Sequence, residues 1–230
     1  MEISIKDLKQ VVVFQNATDD DLRLILQNSI TRSVEEGGFF FFQGDSAKYL
    51  YVLASGQVKL MQANPNGQQV NLRTIYPWQM FGALGAVRAE ASYPASAQTL
   101  EDSTALAIHS KFLHSMLETR PYLSFDLMTL MTSYIQEMQA RYRELATERV
   151  EQRVANALIR LAGQAGIRSE KDAAIELSFS RQDVAEMTGS TLFTVSRLFS
   201  EWERQGIIKT GRERIRILKP HELVRIADGV

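Results

Sequence analysis

The residues of this chain that could do chemistry gather between Phe179 and Arg216, in FSRQDVAEMTGSTLFTVSRLFSEWERQGIIKTGRERIR. The chemistry they offer is recognition. Arg197 carries a planar fork that can donate two hydrogen bonds to guanine O6 and N7, and Ser196 brings a hydroxyl one position before it. Leu192 and Phe193 cannot hydrogen-bond through their side chains, but either can touch a thymine methyl. Ser180, Arg181, Ser190 and Thr191 add hydroxyls and a cation around them, and Lys209, Arg212 and Arg214 add cations suited to phosphate. All eleven are candidate contacts to double-stranded DNA.

These residues need two short helices and a hairpin to hold them. Ser180 with Asp183 three residues on forms a capping box for a first helix through Val184, Ala185 and Met187. Gly189 stands where the chain must turn sharply, and Ser190 is expected to cap a second helix with Val195, Leu198 and Trp202 inward. Small residues at Ala185, Gly189 and Val195 suit close helix packing across a short turn. Gln205-Gly206 ends that helix. Ile207 to Lys209, the turn Thr210-Gly211-Arg212, and alternating Arg214-Ile215-Arg216-Ile217 then predict a basic hairpin. From Arg204 to Lys219 there are six cations and one anion. An ordinary helical hairpin explains the small residues alone, but not that one-sided charge.

Elsewhere the composition is that of a soluble globular chain of one or two domains: 230 residues, 45% hydrophobic, 23% charged, formal net charge −1. The balance is uneven. Residues 1–145 carry 12 Lys+Arg against 15 Asp+Glu, and residues 146–230 carry 14 against 12, so positive charge is local to the hairpin region. Absence of cysteine fits a cytoplasmic location and excludes a thiolate-held iron–sulfur cluster, a cysteine zinc site or a thiol switch. The first residues, MEISIKDLKQ, lack the apolar core of a secretory signal, and no run suits a membrane span, so no membrane partner is expected. No nucleophile elbow, phosphate-binding glycine loop or metal-ligand spacing is present, which argues against an enzyme.

Taken in order, residues 4–29 read as helical, with Thr18 and Asp21 in a capping box. Residues 30–108 read as short strands between turns: Phe39–Phe42, Tyr49–Leu53, Val58–Met61, Val70–Ile75, Ala95–Thr99 and Thr104–Ile108, with Asn64-Pro65-Asn66-Gly67 as a hairpin signal. Such strands suggest a small antiparallel barrel able to enclose one ligand. Residues 111–145 return to helical period, with Met128, Met131, Ile135, Met138, Tyr142 and Leu145 spaced 3, 4, 3, 4, 3. That seam can pack on the chain's own barrel or, more simply, on a second copy as a homodimer. A charged stretch from Glu148 to Arg153 marks a boundary. Val154 to Leu161 then starts another helix, expected to end at Gly163 and Gly166. The fold class is α+β: an antiparallel β-roll with N-terminal helices (1–110), a long dimerisation helix (111–147) and a winged helix-turn-helix (148–230).

In this order the pieces resemble the CRP/FNR family of bacterial transcription regulators over nearly the whole chain. The resemblance rests on FFFFQGDSAKYLYVLASGQVKL, FGALG and STLFTVSRLFSEWERQGII. It implies a homodimer that binds a palindromic promoter site, meets RNA polymerase if it activates, and is switched by an effector in the roll. Phe81, Gly82, Ala83, Leu84, Tyr93, Met138 and Tyr142 are the residues implied for that pocket. Several positions depart from the cAMP-binding members. Where those have Gly-Glu-Leu, this chain has Gly82-Ala83-Leu84; where they have Arg-Ser, it has Tyr93-Pro94; where they have Thr-Ser, it has Met138-Gln139. A cyclic phosphate without a cation or N–H donors is costly to bury, so cAMP is not the expected effector. The FNR-like members use cysteines, which are absent here. Haem stays open, with His109 or His114 as a single axial ligand, as does an effector-free pocket closed by its own side chains. Phe193 stands where many members carry Glu, Arg197 where they carry a guanine-reading Arg, and Ser196 where some carry a base-reading Ser.

Overall fold

The computed structural model describes residues 3–63, 69–83, 91–165, 167–168, 174–211 and 214–229. Its chain divides into two compact units, Met1–Glu137 and Met138–Val230. The expected hairpin turn 64–67 lies outside the described residues, as do Leu84, Gly85, Gly166 and Arg212.

In the first unit, helices α1 (Ile5–Leu8) and α2 (Asp19–Gln27) flank a 3-10 turn at Val12–Phe14, so the helical stretch expected over 4–29 is three short pieces. Two four-stranded antiparallel sheets follow. One orders β1 (Ser29–Val34), β8 (Ser103–His109), β3 (Tyr49–Ser55) and β6 (Met80–Phe81); the other orders β2 (Phe39–Phe41), β7 (Ser96–Thr99), β4 (Val58–Ala63) and β5 (Gln69–Ile75). Alternation along β3 and β8 divides the interior in two. Tyr51, Leu53, Ala105 and Ala107 join Phe40, Phe41, Val58, Phe81 and Ala97 in the core inside the roll. Leu50, Val52, Leu106 and Ile108 face the other way, onto Leu8, Phe14, Leu22, Ile25, Leu113 and Leu123. A strand buried on both faces reads as one continuous apolar run, which is why Tyr49–Leu53 shows no polar alternation.

The helical region after β8 is not continuous. Helix α3 (Ser110–Thr119) stops at Arg120 (φ −133°, ψ 80°), and α4 starts at Pro121 and runs to Thr147. A residue before proline is pushed out of the helical region, and proline fits the first helical position; the single helix over 111–147 is therefore two. Helix α4 carries two apolar stripes. Leu123 and Leu127 are buried in their own unit, and Leu130 and Tyr134 are half-buried further along the same face. The expected seam lies about 100° around the helix. On it Met128, Ile135, Met138, Tyr142 and Leu145 are exposed, while Met131 is partly buried against the unit's core. Tyr134 also takes the Arg73 guanidinium over its ring at 3.9 Å, and Arg73 Nη1 lies 3.4 Å from the Glu137 carboxylate.

In the second unit, α5 (Val150–Ala165) runs through Gly163 rather than ending there. Strands β9 (Ile167–Arg168) and β10 (Ile175–Leu177) precede α6 (Arg181–Thr188) and α7 (Leu192–Arg204); β11 (Ile208–Thr210), β12 (Ile215–Ile217) and α8 (Pro220–Asp228) complete it. The small sheet is ordered β11-β12-β10-β9. Two helix details differ from expectation. Thr191, not Ser190, caps α7, by accepting from the Thr194 N–H. The helix buries Val195, Phe199 and Trp202, with Leu198 only half-buried.

Asp21 ties the start of the first unit to the α3–α4 break. Its carboxylate accepts from the Thr18 hydroxyl (2.6 Å), the Arg120 guanidinium and the Tyr122 hydroxyl. Burial raises its pKa, but those three donors outweigh burial and hold it well below the usual carboxylate range. Burial and the Asp21 carboxylate push the Tyr122 hydroxyl up to about 12. A carboxyl depressed by folding stabilises above its unfolded pKa of about 3.9, and that stability is lost as pH falls through lower values. Asp21→Asn should therefore lose about 2–4 kcal/mol at pH 7 in denaturant titrations, and the gap to wild type should shrink below about pH 4.

Candidate nucleic-acid interface

The capping box at Ser180 starts α6: Ser180 Oγ donates to Asp183 Oδ2 at 2.6 Å, and the Asp183 N–H donates back to Ser180 Oγ at 3.1 Å. The turn to α7 passes through Gly189 at φ +59°, a left-handed conformation that favours glycine. A Cβ there would lie 3.2 Å from Leu145 Cδ2, so the last turn of α4 sits against the corner between the two helices. One ion pair fixes the end of α4, and two hydrogen bonds brace the chain beside it. Arg160 Nη1 donates to Glu144 Oε1 at 2.6 Å, Asn156 Nδ2 donates to Glu148 Oε2 at 3.0 Å, and Arg153 Nε donates to the Thr188 carbonyl at 3.1 Å.

With Val195, Phe199 and Trp202 turned inward, the opposite side of α7 is fixed. At about 100° per residue, Phe193, Arg197, Ser200 and Arg204 fall within a sector of about 60°, with Ser196 beside it. Phe193 is 78% exposed and Leu192 47%. Arg197 is exposed, and no described residue pairs with it. Arg204, by contrast, is paired with Glu201.

The hairpin β11–β12 is fastened to α6 and α7 by a cluster not anticipated from sequence. Glu203 Oε1 accepts from both the N–H (2.6 Å) and the hydroxyl (2.8 Å) of Thr210, and Arg181 Nη2 donates to the same hydroxyl at 2.7 Å. Arg181 thus holds the hairpin in place as well as lying near the helix start. Arg216 pairs with Glu176 at 3.0 Å. Lys209 and Arg214 are exposed. Ser180, Ser190 and Thr191 already use their hydroxyls internally: Ser190 bonds the Thr188 hydroxyl, and Thr191 caps its helix. Among the described residues, the groups left without an internal partner here are Phe193, Leu192, Arg197, Ser196, Lys209 and Arg214.

The residues expected around an effector divide differently. Phe81 and Tyr93 lie in the core inside the roll, while Ala83 is buried with the cluster that holds the N-terminal helices. Tyr93 stacks on Phe41 with ring centroids 3.7 Å apart, and Phe81 stacks on Tyr51 at 5.0 Å. The Tyr93 hydroxyl donates to the Tyr49 carbonyl at 2.6 Å and accepts from the Tyr49 N–H at 3.1 Å, and burial pushes its pKa well up. Gly82, at φ +77°, sits where a Cβ would press on this stack, 3.2 Å from Tyr93 Cε1. Arg32 Nη1 donates to the Tyr51 hydroxyl at 3.0 Å. Met138 and Tyr142 belong to the second unit and are 68% and 76% exposed. The two candidate haem ligands have local roles. His109 Nδ1 accepts from the Lys111 N–H as the cap of α3, and His114 lies 3.3 Å from the Glu118 carboxylate. Among the described residues no group of three or more His, Asp or Glu could hold a metal, and no helix is long and apolar enough to cross a membrane. The run Phe39–Phe42 was the sign of the aromatic core in sequence, since Phe40 and Phe41 belong to it with Tyr51.

Two domain families match the chain: a cyclic nucleotide-binding domain over residues 31–120 and a Crp-like helix-turn-helix domain over residues 152–226. Among similar proteins, the cyclic AMP receptor protein of Thermus thermophilus is 26% identical over 97% of this chain and 100% of its own. The anaerobic regulatory protein of Bacillus subtilis is 25% identical, covering 89% of this chain and 87% of the relative. Among solved structures, FixK2 from Bradyrhizobium japonicum superposes with a TM-score of 0.76 at 18% identity, over 86% of this chain and 96% of its own.

Proposed function

This chain belongs to the CRP/FNR family of transcription regulators, and from that premise we propose a homodimer that reads a palindromic DNA site through α7 and is not switched by cAMP. The observation that carries the DNA-reading part is the outward face of α7, where an unpaired Arg197 stands on the side opposite the buried Val195, Phe199 and Trp202. A helix whose inner face is consumed by its own domain and whose outer face ends in an unspent guanidinium suits a major groove. Lys209 and Arg214 on the hairpin supply phosphate contacts. In this reading the roll to residue 110 takes the effector, the region to 147 pairs the copies, and the domain beyond binds DNA. A cytoplasmic location follows from that role, and contact with RNA polymerase follows if the regulator activates.

Arg197→Ala should erase preference at one base pair of each half-site, about 1–3 kcal/mol of discrimination, when binding is measured against single-base variants of the site. Lys209→Ala and Arg214→Ala should instead weaken all sequences alike and flatten the salt dependence. Equal weakening of every sequence by Arg197→Ala would remove Arg197 from base reading.

The second stripe of α4 supports the dimer. Met128, Ile135, Met138, Tyr142 and Leu145 expose large apolar groups along about 26 Å of helix, while a different face packs on the chain's own roll. Contiguous exposed apolar surface of that kind marks an interaction site, and two recognition helices spaced about 34 Å apart need a two-fold mate. Ile135→Glu places a charge opposite its own copy. Light scattering should report a monomer, and palindrome affinity should collapse; an intact dimer would move the interface elsewhere.

The Thermus relative is named for cyclic AMP, but Ala83, Tyr93 and Pro94 offer neither a carboxylate for the ribose nor a cation for the phosphate. Tyr93 is instead committed to Phe41 and to the Tyr49 backbone. Calorimetric titration with cAMP should give no saturable heat at micromolar ligand, and saturable binding with rising DNA affinity would reverse this reading.

A further inference from the structure

Phe193 and Leu192 open the first turn of α7 beyond its cap Thr191, exposed at 78% and 47%. Adjacent in sequence and both exposed, they put apolar surface at the start of the helix that faces away from its own domain. Nothing polar in either side chain could read a base by hydrogen bonding, so any base they recognise must be recognised through apolar contact. The B-DNA major groove offers one such feature, the thymine C5-methyl. Charge argues for DNA as the occupant of this patch rather than another apolar protein surface. Arg197 lies on the same face of α7, and Lys209 and Arg214 are exposed on the hairpin of the same domain. No acidic residue lies on the outward sector that Phe193 shares with Arg197, Ser200 and Arg204.

We propose that Phe193, flanked by Leu192, is a specificity-determining residue that reads a thymine methyl within each half-site. This rests on the DNA-reading function proposed above and names the base that its apolar half selects. Position follows from helix geometry. Four residues separate Phe193 from Arg197, a rise of about 6 Å, and successive base pairs are about 3.4 Å apart. The thymine therefore lies one or two base pairs from the guanine that Arg197 reads.

The test uses the full-length protein and a pool of randomised duplexes. Wild type should enrich a palindrome holding guanine and, one or two pairs away, a T·A pair. Each thymine of that site is then replaced singly by deoxyuridine, which removes the methyl and leaves base pairing intact. At the predicted position the loss should be roughly fourfold in Kd for one half-site and roughly fifteenfold for both, the size expected for one methyl(ene)-sized apolar contact each. Phe193→Ala should bind more weakly to the thymine site and show no further penalty for uracil at that position. Because Phe193 is exposed and off the buried face of α7, its thermal midpoint should match wild type, which separates lost contact from lost fold. A uracil penalty that persists unchanged in Phe193→Ala, or an enriched site with no penalty at any thymine, overturns the proposal while leaving DNA reading intact. Failure to enrich any sequence overturns both. A changed oligomeric state in Phe193→Ala, with uracil tolerated in wild type, assigns the patch to protein contact and also overturns it.

Discussion

One helix carries two apolar rows, and the first unit is built around one of them. Helix α4 buries Leu123 and Leu127 in its own unit and turns a second apolar row outward, about 100° away. Had the rows coincided, a partner could be gained only by giving up the intramolecular core. Their offset lets the chain fold by itself and still present a long apolar edge. The start of this helix is set by Pro121, and Arg120 just before it is held by Asp21. The second N-terminal helix, the α3–α4 break and the start of the long helix thus meet at one carboxylate.

The roll and the DNA-reading domain have answered the same problem in opposite ways. Inside the roll, rings stack on one another and the Tyr93 hydroxyl is turned back onto the Tyr49 backbone. On α7, apolar groups are turned outward instead. Core packing and helix caps fix the frame, while a handful of side chains that neither touches can vary.

Local signals were legible in sequence. The capping boxes at Thr18 and Ser180, the left-handed turn at Gly189 and the basic hairpin depend on residues within a few positions of each other, and the structure has them where spacing placed them. Signals that depend on distant partners were not. Leu198 and Phe199 are adjacent apolar residues, and only the facing helices decide which one is buried. Asp21 reads in sequence only as half of a capping box with Thr18; its other partners lie about a hundred positions away, at Arg120 and Tyr122. The two stripes of α4 share one periodicity, so a heptad reading finds a seam without saying that a second one takes the intramolecular contacts. Ala83 is set apart from Phe81 by a backbone turn at Gly82 that strand alternation does not foresee.

Leu145 belongs both to the exposed row of α4 and to the wall against which Gly189 turns. In the proposed dimer, a mate lying along that row would press on the same side chain that backs the corner of the helix-turn-helix. Association and DNA binding would then share a residue, and linkage runs in both directions. Whatever free energy the mate adds to the grip on DNA, DNA returns to the grip between mates. The concentration at which copies pair would be lower on a promoter than in free solution, so the promoter itself would take part in assembling its reader.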